Sequence, residues 1–245
     1  MLLIDTDYVA YKSAQACEEA IDFGDDVIVS QSNFSECVKV FERELQKIKT
    51  ALMDDEIILY FSSPQNFRKE IFPDYKGHRN RRKPLGYKRL VNYCRNNYNV
   101  VIRDNLEADD SLGIDATNPK YASVDNIIVS PDKDMRQIPG TLWNMTDDVE
   151  EITQEDGDHW HLIQSLAGDP TDGYSGCPGI GVKRASDLLN KNTKPWEAVC
   201  KAYNERGLSD DDALLNARLA KILQHKDYDH DRLEPILWTP VLQQG

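Results

Sequence analysis

The sequence predicts an α/β fold: a mainly parallel sheet with helices on both faces, followed by a C-terminal helical subdomain. Three observations lead there. Short apolar runs suited to buried strands recur at Leu2 to Ile4, Ile57 to Phe61, Val100 to Ile102 and Ile127 to Val129. Segments of helical period separate them, as crossovers between parallel neighbours require. From Asp158 onward the pattern is helical, which places a boundary near residue 155 and divides the chain into 1–155 and 156–245.

Taken in order, the first strand run ends at Asp5 and Asp7, and a helical pattern then extends through Ala20. Phe34, Cys37, Val38, Phe41, Leu45, Ile48 and Leu52 repeat at helical spacing, with Asn33 and Glu36 placed as an N-terminal capping box. The second strand ends at Ser62, Ser63 and Pro64. Pro84 is expected to start a helix with Tyr87, Leu90, Val91 and Cys94 on one face. Strand, acid-rich turn and helix recur over 100–116, and Pro131, Asp132, Lys133 and Asp134 follow the fourth strand. Leu142 to Met145 and Glu150 to Thr153 read as an edge hairpin. A helix over Asp158 to Ala167 leads to a glycine-flanked acidic turn, Gly168 to Gly173, and then to the glycine-rich stretch Gly176 to Ala185. The tail is expected to be helical, with Trp196, Val199 and Tyr203 on one face. Ser209 caps a last helix whose Asp210, Asp211 and Asp212 offset the helix dipole.

Composition narrows the functional classes. The 245 residues can bury a sizeable core. No apolar run approaches the roughly 18 residues of a membrane span, and the start lacks a basic flank with a long apolar stretch, so no membrane partner and a cytoplasmic location are expected. Five widely spaced cysteines without a Cys-x-x-Cys pair argue against disulfides and thiolate zinc. The net charge of −13 would count against nucleic acid, yet Arg68 to Arg89 holds nine Lys or Arg against two acids, leaving −20 elsewhere. That split suits a protein that grips a polyanion with one segment and cations with another.

Parallel sheets bind ligands beyond the carboxyl ends of their strands. Asp5, Glu107, Asp109, Asp110, Asp132 and Asp134 belong there, with Asp169 and Asp172 from the later turn. Each alone could be a cap or turn residue, and Glu107-Ala-Asp-Asp by itself reads as a helix start. Together, eight carboxylates without His or Cys are hard-cation chemistry, suited to two Mg²⁺ or Mn²⁺ ions that promote in-line phosphodiester displacement. In the basic segment, Tyr75 interleaved with Lys76, Arg79, Arg81 and Arg82 offers stacking and phosphate contacts, with Lys83 behind and Asp74 holding the turn. His159 and His161, two apart, do not share a helical face and are read as structural. Gly179 and Gly181, followed by Lys183 and Arg184, suit a clamp that binds duplex phosphate through backbone N–H groups, of helix-hairpin-helix type.

The ordered set of Asp5, Phe72 to Arg79, Glu107 to Asp110, Ser130 to Asp134, Gly168 to Asp172 and Gly176 to Ala185 resembles the flap endonuclease and 5′→3′ exonuclease superfamily, from Leu3 to about Ala185. Lys83 to Tyr87 and Trp160 to Gln164 resemble its short-tailed coliphage subgroup. The resemblance implies a PIN-like sheet, a helical arch at about 64–90 and a helix-three-turn-helix at about 170–190. It implies two divalent ions, Asp5, Glu107, Asp109 and Asp132 holding the first and Asp134, Asp169 and Asp172 the second, with Asp110 acting through water. A monovalent cation at the helix-three-turn-helix is compatible with it. Lys76 and Arg79 would contact the scissile phosphate, and Tyr75 would stack on a terminal base. The implied activity is hydrolysis at 5′ ends, nicks or flaps of duplex DNA and removal of RNA from RNA–DNA hybrids, alongside replication proteins in the cytoplasm of a phage's host. One departure stands out: Ser62 and Ser63 occupy positions where the family usually carries an aspartate. Two other readings remain. A haloacid-dehalogenase-like phosphatase would use Asp5 as nucleophile, and a structure-specific DNA binder would have little catalysis.

Overall fold

The computed structural model describes residues 1–79, 82–121, 125–146 and 149–240. The chain runs β1 (Leu2–Asp5), α1 (Thr6–Ala16), β2 (Glu18–Asp22), β3 (Ile28–Ser32), α2 (Phe34–Leu52), β4 (Ile57–Tyr60), α3 (Arg68–Ile71), α4 (Tyr87–Asn97), β5 (Val100–Val101), α5 (Ala108–Ala116) and β6 (Ile127–Val129). It continues through β7 (Gly140–Trp143), β8 (Val149–Ile152), α6 (Gln154–Ala167), α7 (Val182–Leu189), α8 (Pro195–Asn204), α9 (Asp210–Ala220), β9 (Tyr228–Asp229) and β10 (Glu234–Pro235).

Among the described residues the main sheet has six strands in the order β5-β4-β1-β6-β7-β8, and only the β7–β8 pairing is antiparallel. Alternation along β1 sends side chains to two cores. Leu2 and Ile4 join Leu59, Phe61 and Val129 under α1, α2 and α4, around Phe41, Leu45 and Leu90. Leu3 joins Tyr60, Ile128 and Leu142 under α5, around Leu112, Met135 and Ile138. The period of two thus makes β1 apolar on both faces, as a central parallel strand must be. No helix among the described residues is long and apolar enough to cross a membrane.

Several expected boundaries move. The helix expected through Ala20 ends at Ala16, and Glu18–Asp22 pairs with Ile28–Ser32 as an antiparallel hairpin. β-branched Ile21, Ile28 and Val29 and the Gly24 turn favour the hairpin over helical continuation. Asn33 caps α2 by accepting from the Ser35 and Glu36 N–H groups, while the Glu36 carboxylate pairs with Lys39. The helix assigned to Pro84 begins at Tyr87: the Pro84 carbonyl closes a turn and the Gly86 carbonyl accepts the Leu90 N–H. α6 starts four residues before the expected Asp158, because Thr153 and Asp156 form a reciprocal capping box upstream of the apolar period. The tail is helical only through α9; His225–Asp227 makes one 3₁₀ turn and β9 pairs with β10. Pro235 and Pro240 lack the N–H groups a helix would need there.

The later helices share their own core, with Ile163 and Leu166 of α6 against Ala185 and Leu189 of α7 and Val199 and Tyr203 of α8. His161 takes the structural role expected of it, donating Nε2–H to the Ala217 carbonyl at 2.8 Å. Burial, then the Lys221 charge, pushes its pKa down to about 3. The unfolded chain therefore takes up a proton below its ordinary value of 6.5 that the folded chain refuses. His161 should thus cost stability as pH falls from there toward 3, by up to about 1.4 kcal/mol per pH unit. Urea denaturation between pH 7 and 4 should show a shallower acid loss for His161→Gln, and equal slopes would contradict this account. The five cysteines are free thiols.

Candidate active site

The carboxyl ends of β1, β4 and β6 face a cleft of about 450 Å³. Asp5 reaches it from the end of β1, Glu107 and Asp109 from the first turn of α5, and Asp132 and Asp134 from the 3₁₀ turn after β6. Asp169 and Asp172 come from the turn after α6, roofed by Lys76 and Arg79. Local structure explains each placement. Asp132 caps the 3₁₀ turn by accepting the Asp134 N–H at 2.9 Å. Ser130 ties it to Asp5: its hydroxyl donates to Asp5 at 3.0 Å and accepts the Asp132 N–H at 3.2 Å. Asp169 accepts the Thr171 N–H at 2.7 Å, folding the turn that delivers Asp172. That turn is possible because Gly168 and Gly176 cross closely; a Cβ on Gly168 would lie 2.4 Å from the Gly176 nitrogen.

The charges fall into two groups. Burial, then Asp7 and Asp132, pushes Asp5 up to about 7, and burial with Asp132 pushes Asp134 up to about 7. Asp109 is raised by burial and by the Asp5 and Asp132 charges. Two carboxylates about 4 Å apart repel by roughly 4 kcal/mol at an effective dielectric of 20, so this side of the cleft calls for cations. The other side supplies its own. Lys76 Nζ pairs with Glu107 and lies 3.5 Å from Asp172, and Arg79 donates to Asp172 at 2.6 Å. Burial opposes ionisation of Glu107, but Lys76 and Arg68 outweigh it and hold its pKa below the ordinary value.

The donor set fits divalent metal. It is all oxygen, and Asp134 Oδ1 is buried without a hydrogen-bond partner among the described residues. As the side chains stand, no three His, Cys, Asp or Glu among the described residues are gathered around a single point. Lys76 and Arg79 draw Glu107 and Asp172 toward themselves.

Two assigned residues stand elsewhere. Asp110, expected as a metal ligand, is fully buried and turned away from the cleft. As the third residue of α5 it points back along the helix, where Arg68 grips both oxygens at 2.7 and 2.8 Å and the Leu223 N–H donates at 3.2 Å. Tyr75, expected to stack on a base, is 2% exposed. Its ring packs with Tyr174 and Leu219, and its hydroxyl donates to Asp172 at 2.8 Å and Glu107 at 3.1 Å. Tyr75 thus positions two acids and is unavailable to a base.

Of the remaining basic residues, Lys83 lines the cleft, Arg82 pairs with Glu18 on β2, and Arg81 lies outside the described residues. Within 64–90 the described helices are α3 and the start of α4, with turns over residues 73–78. A second, open concavity of about 730 Å³ is bordered by Gly179, Gly181, Lys183 and Arg184 at the start of α7. Gly179 has φ +74°, and a Cβ at Gly179 or Gly181 would meet nothing within 4 Å, so the backbone there is open to close approach. Sequence reasoning passed over Arg68, Ser130, Lys133 and Asp7. The basic run hid Arg68, and nothing local distinguishes it from its solvated neighbours.

Comparison with known proteins follows the same lines. Residues 1–159 match the family described as 5′-3′ exonuclease, N-terminal resolvase-like domain. The exodeoxyribonuclease of Enterobacteria phage T3 is 27% identical, the match covering 98% of this chain and 93% of the relative. The exonuclease of Escherichia phage T7 is likewise 27% identical, with the same coverage. A bacteriophage T5 flap endonuclease solved with DNA and metal ions superposes with a TM-score of 0.67 at 15% identity, over 90% of this chain and 88% of that one, a likeness of fold. With its PIN-like sheet and its acid-lined cleft, the chain belongs to the 5′-3′ exonuclease family of DNA-hydrolysing nucleases.

Proposed function

We propose that the chain is a two-metal 5′→3′ exonuclease and structure-specific 5′ nuclease, acting at 5′ ends, nicks and flaps of duplex DNA and on RNA–DNA hybrids during phage replication in the host cytoplasm, beside replication proteins. The observation that carries this reading is the convergence of the acids that follow β1, β5 and β6 with those of the Asp169 turn, beside Lys76 and Arg79. Asp5, Glu107, Asp109 and Asp132 would hold one Mg²⁺ or Mn²⁺, and Asp134, Asp169 and Asp172 the other. When bound, such ions activate water and stabilise the leaving oxygen of an in-line displacement. Residues 1–155 carry most of that chemistry, with Asp169 and Asp172 reaching in from 156–245; the segment 64–90 acts as an arch, and 156–245 also holds the duplex through a helix-three-turn-helix at about 170–190 with a monovalent cation.

The chain's own residues do the rest. Lys76 stays protonated, because Glu107 and Asp172 outweigh its burial and raise its pKa. Its ammonium and the Arg79 guanidinium face the cleft beside the acids and serve as donors to the oxygens of the scissile phosphate. Tyr75 keeps Glu107 and Asp172 at fixed separation. Lys183 and the N–H groups at the start of α7 hold a backbone phosphate of the duplex without reading sequence. Lys183→Ala should weaken duplex binding equally across sequences and flatten its salt slope by about one unit, read by fluorescence titration in Ca²⁺ from 50 to 200 mM salt. A sequence-dependent loss would contradict the clamp.

Labelled substrates test the activity. Nicked, flapped and RNA-primed duplexes carrying a 5′ or a 3′ label, incubated with Mg²⁺, should release short products from the 5′ side only, RNA included. Shortening from the 3′ end, or no cleavage at any Mg²⁺ or Mn²⁺ concentration, would overturn the reading. A phosphorylated Asp5 would support the phosphatase instead.

A further inference from the structure

Asp7 lies outside the acid set assigned from the strand ends, yet its carboxylate lines the same cleft, next to Asp5 and Ser62. The strand pairing explains why. β1 and β4 are parallel neighbours with Asp5 opposite Tyr60, so the first turn of α1, which holds Asp7, starts beside the residues that follow β4. The Ser62 N–H donates to Asp7 Oδ2 at 3.0 Å, and the Tyr87 hydroxyl of α4 donates to Oδ1. Two donors from two different elements fix both oxygens. Both donors are neutral, so they orient the carboxylate without cancelling its charge. Each oxygen keeps a further lone pair, and the group is half-buried at the cleft wall.

The end of β4 brings no acid of its own. The Ser62 hydroxyl accepts the Ala108 N–H at 3.0 Å and so starts α5, while the Ser63 hydroxyl donates to Gln65 at 3.2 Å. Neither adds charge to this corner. We infer that Asp7 is a metal-site carboxylate of this chain, supporting a divalent ion on the β1–β4 side of the cleft and supplying from α1 the charge that β4 lacks. Tyr87 is its positioning residue. The proposal rests on the metal-dependent reading above.

Mn²⁺ titration of the DNA-free protein by calorimetry tests it without reference to turnover. Wild type should bind Mn²⁺, and Asp7→Asn, which keeps the shape and the Ser62 contact, should bind at least about tenfold more weakly. Adding Ser62→Asp to Asp7→Asn should restore most of the affinity, because the new carboxylate enters the same corner. Restoration by a neighbouring charge separates a lost ligand from a damaged fold. Unchanged affinity in Asp7→Asn overturns the role of Asp7, as does a double variant that stays as weak as the single one. Absence of Mn²⁺ binding by wild type would instead overturn the metal-dependent reading.

Discussion

Asp132→Ala should lower the cleavage rate by about a thousandfold, equivalent to roughly 4 kcal/mol of transition-state stabilisation, while duplex affinity stays within a few-fold of wild type. Asp132 follows β6, whose neighbours in the sheet are β1 and β7, and its charge raises the pKa of Asp5, Asp109 and Asp134 together. A group felt by three other acids is close to the centre of the cradle. Its side chain is oriented through the 3₁₀ turn, its own N–H resting on Ser130, so the substitution removes charge with little consequence for the core. The duplex clamp proposed at Gly179 to Arg184 borders a different concavity and should be unaffected. Single-turnover cleavage of a 5′ flap, paired with binding in Ca²⁺, separates the two. Turnover within tenfold of wild type would remove Asp132 from the site.

The second large effect concerns stability. Arg68 is 2% exposed and Asp110 fully buried, so the bidentate pair between them supplies the countercharge that offsets the desolvation of each. Arg68 also donates to the Leu219 and Lys221 carbonyls and thereby ties α3 and α5 to the chain leaving α9. Arg68→Ala leaves a buried carboxylate without its countercharge and should cost about 3–5 kcal/mol by urea denaturation. The double variant Arg68→Met with Asp110→Leu should recover most of that loss, since two apolar side chains have no charge to desolvate. A loss below about 1 kcal/mol for Arg68→Ala would mean that water or local relaxation solvates Asp110. Such a result would return Asp110 to the list of possible ion ligands.

These cases show what was legible and what was not. β1, β4, β5 and β6 could be read because each is a short apolar run, and their order beside helices dictates a parallel sheet. The acids could be read because parallel strands end on one edge, which turns separated sequence positions into neighbours. What failed were residues whose role depends on which way a side chain turns. Tyr75 looks like a surface aromatic among bases until Tyr174 and Leu219 close over it. Asp110 differs from Asp109 by one position, yet 100° around a helix separates the cleft from the Arg68 pocket. The hairpin after α1 was missed because Glu18, Glu19 and Ala20 are acceptable in a helix, and only the pairing with Ile28–Ser32 decides. Asp7 was in view from the start, but its contact with Ser62 needed the β1–β4 pairing that sets the start of α1 beside the end of β4.

The central claim is that this carboxylate edge works by binding metal ions. It is tested most directly by the order of the reaction in Mg²⁺. Single-turnover cleavage of a 5′-flap duplex, measured below saturation at constant ionic strength, should rise with a log–log slope near two and stop in EDTA. Cleavage that persists in EDTA, or a rate independent of Mg²⁺, would contradict it.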